Sequence, residues 1–126
     1  MNTILVVDDD PDTRDFLSVA LSAEGSVVQT TSTLLGAIDI LKANSEIDCM
    51  LLDYNLPGMP MEDFLTAARG ISPKIGIVLI SAADKVGERA AKVGLKHFLG
   101  KPFQVDELRK IMKECVASAA GECAGP

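Results

Sequence analysis

What this sequence lacks narrows its function first. No run of Lys or Arg is long enough to follow a polyanionic backbone, and 12 basic against 18 acidic residues leave a net charge of −6. Direct nucleic-acid binding is therefore not expected. The three cysteines form no CxxC pair, and the single histidine, His97, has no second ligand near it in sequence. A thiolate cluster is not expected, and His97 reads as a surface or partner-facing imidazole rather than a metal ligand. Cys49 sits in an apolar run and Cys115 falls at helical apolar spacing, so both read as buried thiols. Cys123, in an Ala- and Gly-rich tail, reads as exposed. The apolar run Ile4 to Val7 has no basic flank and meets aspartates too soon for a signal peptide or a membrane span. The expectation is a cytoplasmic protein with no membrane partner.

What is present fits one domain. The chain has 126 residues, 48% of them hydrophobic, enough to bury about two-thirds of the unfolded surface. Short β-rich runs alternate with longer segments of helical period, the pattern of βαβ units and a parallel sheet. The strands are expected at Ile4–Val7, Val27–Thr30, Cys49–Leu52, Ile75–Ile80 and Lys96–Leu99. Runs such as Ile77-Val78-Leu79-Ile80 are apolar throughout, so both faces of the sheet should be covered by helices. Gly25, Asn44, Gly70 and Gly94 follow the first four helical stripes, where left-handed caps would sit. The third helix is expected over about Met61–Arg69 and the fourth over about Asp84–Val93, with Gly87 inside it. The domain is expected over residues 1–119, with 120–126 a flexible tail or the start of a linker.

In an open α/β sheet, ligands bind beyond the carboxyl ends of the strands. Asp8, Asp9 and Asp10 follow the first strand, Asp53 ends the third, Ser81 follows the fourth, and Lys101 and Pro102 follow the fifth. Asp10 before Pro11 reads as a helix cap. Converging carboxylates repel unless a cation holds them, and an all-oxygen donor set suits a hard divalent ion, Mg²⁺ above all where phosphate chemistry follows. Lys101 and Ser81 then supply a charge and a hydrogen bond to an anion beside the metal. The set points to phosphoryl transfer.

Four blocks carry a family resemblance: Ile4-Leu5-Val6-Val7-Asp8-Asp9-Asp10-Pro11, Leu51-Leu52-Asp53-Tyr54-Asn55-Leu56-Pro57-Gly58-Met59, Leu79-Ile80-Ser81-Ala82, and Phe98-Leu99-Gly100-Lys101-Pro102-Phe103. In this order and spacing they resemble the receiver domain of response regulators, the CheY-like module of two-component signalling, over about residues 1 to 117. The resemblance implies a flavodoxin-like, doubly wound five-stranded parallel sheet of order 2-1-3-4-5. It implies that Asp53 accepts a phosphoryl group from a sensor histidine kinase or a histidine phosphotransfer protein. Asp8, Asp9 and Asp53, with the backbone carbonyl of Asn55, would bind Mg²⁺. Ser81 and Lys101 would contact the phosphoryl group along with the Ala82 backbone, and Ser81 and Phe98 would form the switch. The output would be a changed affinity for a downstream protein or an output domain beyond this chain. Such a module is a phospho-accepting signalling domain rather than an enzyme in its own right.

Three departures from that family pattern are visible. The chain between Ser81 and Lys101 is a couple of residues short, so the fourth helix should be shortened or its leading loop tightened. Pro60-Met61 replaces the usual start of the third helix. Ala83 offers no side-chain handle on an attacking water. Two other functions compete. Asp8-x-Asp10 imitates the nucleophile motif of haloacid-dehalogenase-type phosphatases, and a receiver-like module could bind partners without phosphorylation.

Overall fold

The computed structural model describes residues 2–44 and 46–122, with side chains through Val116. Five strands, β1 (Thr3–Val7), β2 (Val27–Thr31), β3 (Cys49–Asp53), β4 (Gly76–Ala82) and β5 (His97–Lys101), alternate with helices α1 (Pro11–Ala23), α2 (Leu34–Ala43), α3 (Met61–Ile71), α4 (Val86–Lys92) and α5 (Val105–Glu122). All strand pairs are parallel and the order is β2-β1-β3-β4-β5, the doubly wound, flavodoxin-like arrangement.

Why the central strands β1, β3 and β4 are apolar over most of their length follows from the pleat, because successive side chains point to opposite faces and both faces are covered. Leu5, Val7, Met50, Leu52 and Leu79 pack under α2, α3 and α4. Ile4, Val6, Cys49, Leu51, Val78 and Ile80 pack under α1 and α5. Burial on both sides leaves no exposed position along β3, whose five residues are all buried, Asp53 included. Cys49 and Cys115 are both buried, as expected, and they meet across the β3–α5 contact with their sulfurs 3.2 Å apart. Contact with Cys115, followed by burial, pushes the Cys49 thiol well above its ordinary range. Cys123 and the other tail residues 124–126 lie outside the described residues.

Several local expectations need correction. Strands β4 and β5 run further than their apolar stretches, because the ladder continues through Ser81↔Gly100 and Ala82↔Lys101. Ser81 and Lys101 are thus the last or next-to-last residues of strands rather than residues of the following loops. Gly25 (φ 89°) and Gly94 (φ 75°) adopt the left-handed conformation after α1 and α4. Gly70 does not, because α3 continues through it to Ile71 and is capped by Ser72. Asn44 caps α2 in an extended conformation, with φ −137°. Helix α4 is seven residues long, against the ten expected over 84–93, since the tight turn that closes on Ala82 through the Lys85 N–H occupies the first positions.

Candidate functional site

The chain leaves β1 for β2 on one side and leaves β3 for β4 on the other, and this divergence opens a crevice beyond the carboxyl ends of β1 and β3. Asp8 and Asp53 stand there. Asp8 is buried, and its polar atoms are all engaged. Its N–H donates to the Thr31 carbonyl at 3.1 Å, Oδ1 accepts from the Asp10 N–H at 2.9 Å, and Oδ2 accepts from Lys101 Nζ at 3.0 Å. Arg14 donates to its carbonyl at 2.8 Å. Asp10 caps α1, accepting from the Asp12 N–H and the Thr13 hydroxyl at 3.2 and 2.6 Å. The Thr13 bond is the main influence holding its carboxyl below the ordinary value. Asp10 is therefore committed to the helix, as its position before Pro11 implied.

Asp53 is held differently. Its Oδ1 lies 3.9 Å from Lys101 Nζ and 3.4 Å from the Asn55 N–H, and the following Tyr54 N–H is fixed to the Ile80 carbonyl at 2.9 Å. Burial first, and then the neighbouring Asp8 carboxylate, push the Asp53 carboxyl above its ordinary value, against the opposing pull of Lys101. One ligand oxygen from each of Asp8, Asp9 and Asp53 can lie within 4.8 Å of the others, and among the described residues this is the one His, Cys, Asp or Glu group so placed. Three carboxylates with one exposed member form a donor set of hard oxygens with room for water. That set fits Mg²⁺ and suits neither a soft metal nor a closed zinc site. His97 is half-buried in β5 and is not part of the group.

The remaining expected residues converge on the same place. Asp53, Asn55, Ser81, Ala82 and Lys101 line an open cleft of about 710 Å³. Its rim carries Phe16 and Phe103, whose rings lie 6.0 Å apart. Phe98 stands outside the cleft on β5, with 42% of its surface exposed. Its ring lies against α4, 3.7 Å from where a Cβ on Gly87 would sit. A larger groove, about 870 Å³ between α1 and α5, contains none of these residues.

Two residues to which the sequence assigned no role also build the site. Arg89 of α4 donates through Nη1 to Ser81 Oγ at 2.5 Å, and its guanidinium carbon lies 4.6 Å from the centre of the Tyr54 ring. A lone arginine on a short helix ordinarily reads as a solvated charge. The shortened chain between Ser81 and Lys101 was the only hint that this helix sits close. Gly100 is the second. A Cβ there would come within 2.6 Å of the Ala83 backbone, so β5 can approach the turn after β4, and Ala83 N–H reaches the Lys101 carbonyl at 3.2 Å, only without a side chain.

Comparison with known proteins agrees with this geometry. The family model described as the response regulator receiver domain matches residues 4–113. Response regulator MprA of Mycobacterium tuberculosis is 33% identical over 112 residues, which span 87% of this chain and 48% of that protein. The chain thus spans about half the length of the curated relatives it matches. Among solved structures, the Vibrio cholerae chemotaxis protein CheY4 superposes with a TM-score of 0.78 at 25% identity, covering 91% of this chain and 98% of that one. NtrX from Brucella abortus, solved in complex with ATP, gives a TM-score of 0.87 at 25% identity and covers 97% of this chain but 28% of its own.

Proposed function

The chain belongs to the response regulator receiver domain family of two-component signalling, and from that premise we propose that it is a phospho-accepting switch with Asp53 as the acceptor. Family membership sets aside the phosphatase alternative, and the commitment of Asp10 to capping α1 leaves Asp8-x-Asp10 without a free second carboxylate. The observation that carries the proposal is the position of Lys101. Its ammonium reaches the Asp8 carboxylate at 3.0 Å and lies 3.9 Å from that of Asp53, in a cleft open enough for a phosphoryl donor.

Asp53 attacks the phosphorus of a phosphohistidine or a small acyl phosphate. The new P–O bond forms as the bond to the donor breaks, and the electron pair leaves with the donor's nitrogen or oxygen. A carboxylate is a poor nucleophile toward an anionic phosphoryl group, so the charge there must be offset. Asp8, Asp9 and Asp53 with the Asn55 carbonyl would hold Mg²⁺, which when bound supplies positive charge to the phosphoryl oxygens. Lys101 supplies the second positive charge, and its side chain is one-third exposed, free enough to turn from Asp8 toward a phosphoryl oxygen. Ser81 offers its hydroxyl, and the exposed Ala82 at the end of β4 offers its backbone. The product replaces one negative charge with about two, and Ser81 and Phe98 respond by altering the surface seen by a partner.

The phosphoryl donor is a sensor histidine kinase or a histidine phosphotransfer protein, and the output is a downstream protein or an output domain. The receiver extends over residues 1–119, and α5 continues through Glu122, so the expected tail or linker start at 120 begins on helix and not on irregular chain. Among the described residues no helix is long and apolar enough to cross a membrane.

Intact-mass spectrometry after incubation with Mg²⁺ and acetyl phosphate, beside Asp53→Asn, tests the assignment. The expected result is a single phosphoryl adduct that requires Mg²⁺ and is absent from the variant. An adduct that persists in Asp53→Asn overturns the acceptor, and no adduct from acetyl phosphate or a phosphorylated phosphotransfer protein leaves the phosphorylation-independent module in its place.

A further inference from the structure

Helix α4 has little of its own to hold it. It is seven residues long, its N-cap Lys85 makes no side-chain capping bond, and Val86 and Ala90 are its two buried residues. So short a helix is marginal without tertiary contacts, and Gly87 in its first turn lowers its propensity further. The contacts that fix it are therefore few enough to name. Val86 and Ala90 pack beneath it, Phe98 lies against Gly87, and Arg89 reaches away from the helix to the site.

Arg89 touches both sides of the acceptor. Its hydrogen bond goes to Ser81 on β4, and its guanidinium stacks on Tyr54, the residue after Asp53 at the end of β3. A guanidinium attracts new negative charge and presents several N–H donors in a planar fork. A hydroxyl has one proton to donate and two lone pairs to accept with. Ser81 can accept from Arg89 and donate to a phosphoryl oxygen at the same time, and any movement of Ser81 toward that oxygen carries the arginine with it.

We propose that Arg89 is a positioning residue that transmits the charge state of Asp53 to α4, through its hydrogen bond to Ser81 and its stacking on Tyr54. The inference rests on Asp53 being the acceptor. It adds a route from the site to α4 that does not pass through Phe98, which packs on Gly87 on the opposite side of the helix.

The test uses the full chain, with beryllofluoride and Mg²⁺ as the phosphoryl mimic. Amide hydrogen exchange across residues 86–92 reads α4, and exchange across 11–23 provides the reference. Tyr54 is the sole tyrosine in a chain without tryptophan, so its emission reports directly on the stacked guanidinium. In the unaltered chain the mimic should shift exchange across α4. In Arg89→Ala, Tyr54 emission should change before any mimic is added. The mimic should still bind within about tenfold of the unaltered affinity, the scale of one charged hydrogen bond, yet the α4 shift should be lost. Arg89→Gln keeps a side-chain donor for Ser81 without the charge and should retain part of the shift, which guards against a general folding defect in the alanine variant.

An Arg89→Ala protein with a full α4 shift overturns the proposal, as does one that no longer binds the mimic, since Arg89 would then act in binding and not in transmission. Failure of the unaltered chain to bind the mimic overturns the acceptor assignment itself, and the inference falls with it.

Discussion

Helices α1 and α4 each start a few residues past a strand end that carries site residues, and they are anchored in contrasting ways. Helix α1 is thirteen residues long, begins with Pro11 under an Asp10 cap, and buries Leu17 and Leu21. Arg14 from its first turn also ties down the Asp8 carbonyl, and the Glu24–Arg109 ion pair joins its far end to α5. Helix α4 has half the length, no side-chain cap, and two small buried anchors. The acidic side of the site thus sits on backbone fixed by capping and core packing. The Ser81 side sits beside a helix whose position depends on contacts with the site itself. A charge-driven switch needs such a division, because a phosphoryl group can move only what is held by energies comparable to those it supplies.

The comparison is most easily broken in the core. Leu17→Ala should destabilise the whole domain by about 3 kcal/mol, within the range for a buried leucine that leaves a cavity. Val86→Ala should cost roughly half as much, since two fewer buried carbons are worth about 1.5 kcal/mol. Urea denaturation measures both. Hydrogen exchange separates them further, because Leu17→Ala should raise exchange throughout the sheet while Val86→Ala raises it chiefly across residues 86–92. Equal losses, with equal spread, would mean that α4 is as much part of the cooperative core as α1.

A smaller effect comes from charge on the acidic side. The Asp53 carboxyl is pushed above its ordinary value by burial and by Asp8, so the fold favours its protonated form. That favourable contribution is fully present below the ordinary carboxylate pKa and is lost as pH rises through the raised value. At neutral pH the ionised group is therefore a burden that asparagine does not carry. Asp53→Asn should raise the unfolding midpoint at pH 7 in the presence of a chelator, with the gain vanishing in acid below about pH 4, where both side chains are neutral. Lys101 stays paired with Asp8 in the variant, so the gain should be smaller than the loss in Leu17→Ala. A variant less stable than the parent at neutral pH would show that Lys101 outweighs burial at this position.

The two sides also differ in how far they could be read from the sequence. Asp8, Asp9, Asp53, Ser81 and Lys101 each lie within two residues of the end of an apolar run, and a parallel sheet places all such ends on one edge. Periodicity and topology together were enough to gather them. Asp10 was legible as a cap because the residue after it is Pro11. Arg89 was not legible, because its partners are Ser81, eight residues back, and Tyr54, just past the end of β3. Nothing in the pattern of a seven-residue helix distinguishes an arginine turned inward from a solvated one. The glycine at 100 is similarly silent, since only the approach of the Ala83 backbone gives it a reason. Gly70 misled in the opposite way, because a helix tolerates glycine in its last turn and α3 did not need to stop there. The pairing of Cys49 with Cys115 joins residues 66 apart in sequence and appears only when α5 packs on the sheet.

The smallest change sharpens the comparison by stiffening the weaker side. Gly87 lies within α4 and its φ is not positive, so alanine fits the backbone without strain. The added Cβ would meet only the Phe98 ring, at 3.7 and 3.8 Å, which is ordinary van der Waals contact. Replacing a helical glycine by alanine is worth about 0.5–1 kcal/mol, and here the methyl also gives the outward-facing ring something to pack on. Gly87→Ala should therefore raise the stability of the domain by about that amount and slow exchange across residues 86–92. Because the gain attaches to the Phe98 position found without a phosphoryl group, the same variant should respond less to beryllofluoride while binding it with little change. Its effect is expected to add to that of Arg89→Ala, since the two residues hold opposite sides of the helix and act through different partners. Strong non-additivity in the double variant would instead mean that Phe98 and Arg89 serve a single path from Asp53 to α4.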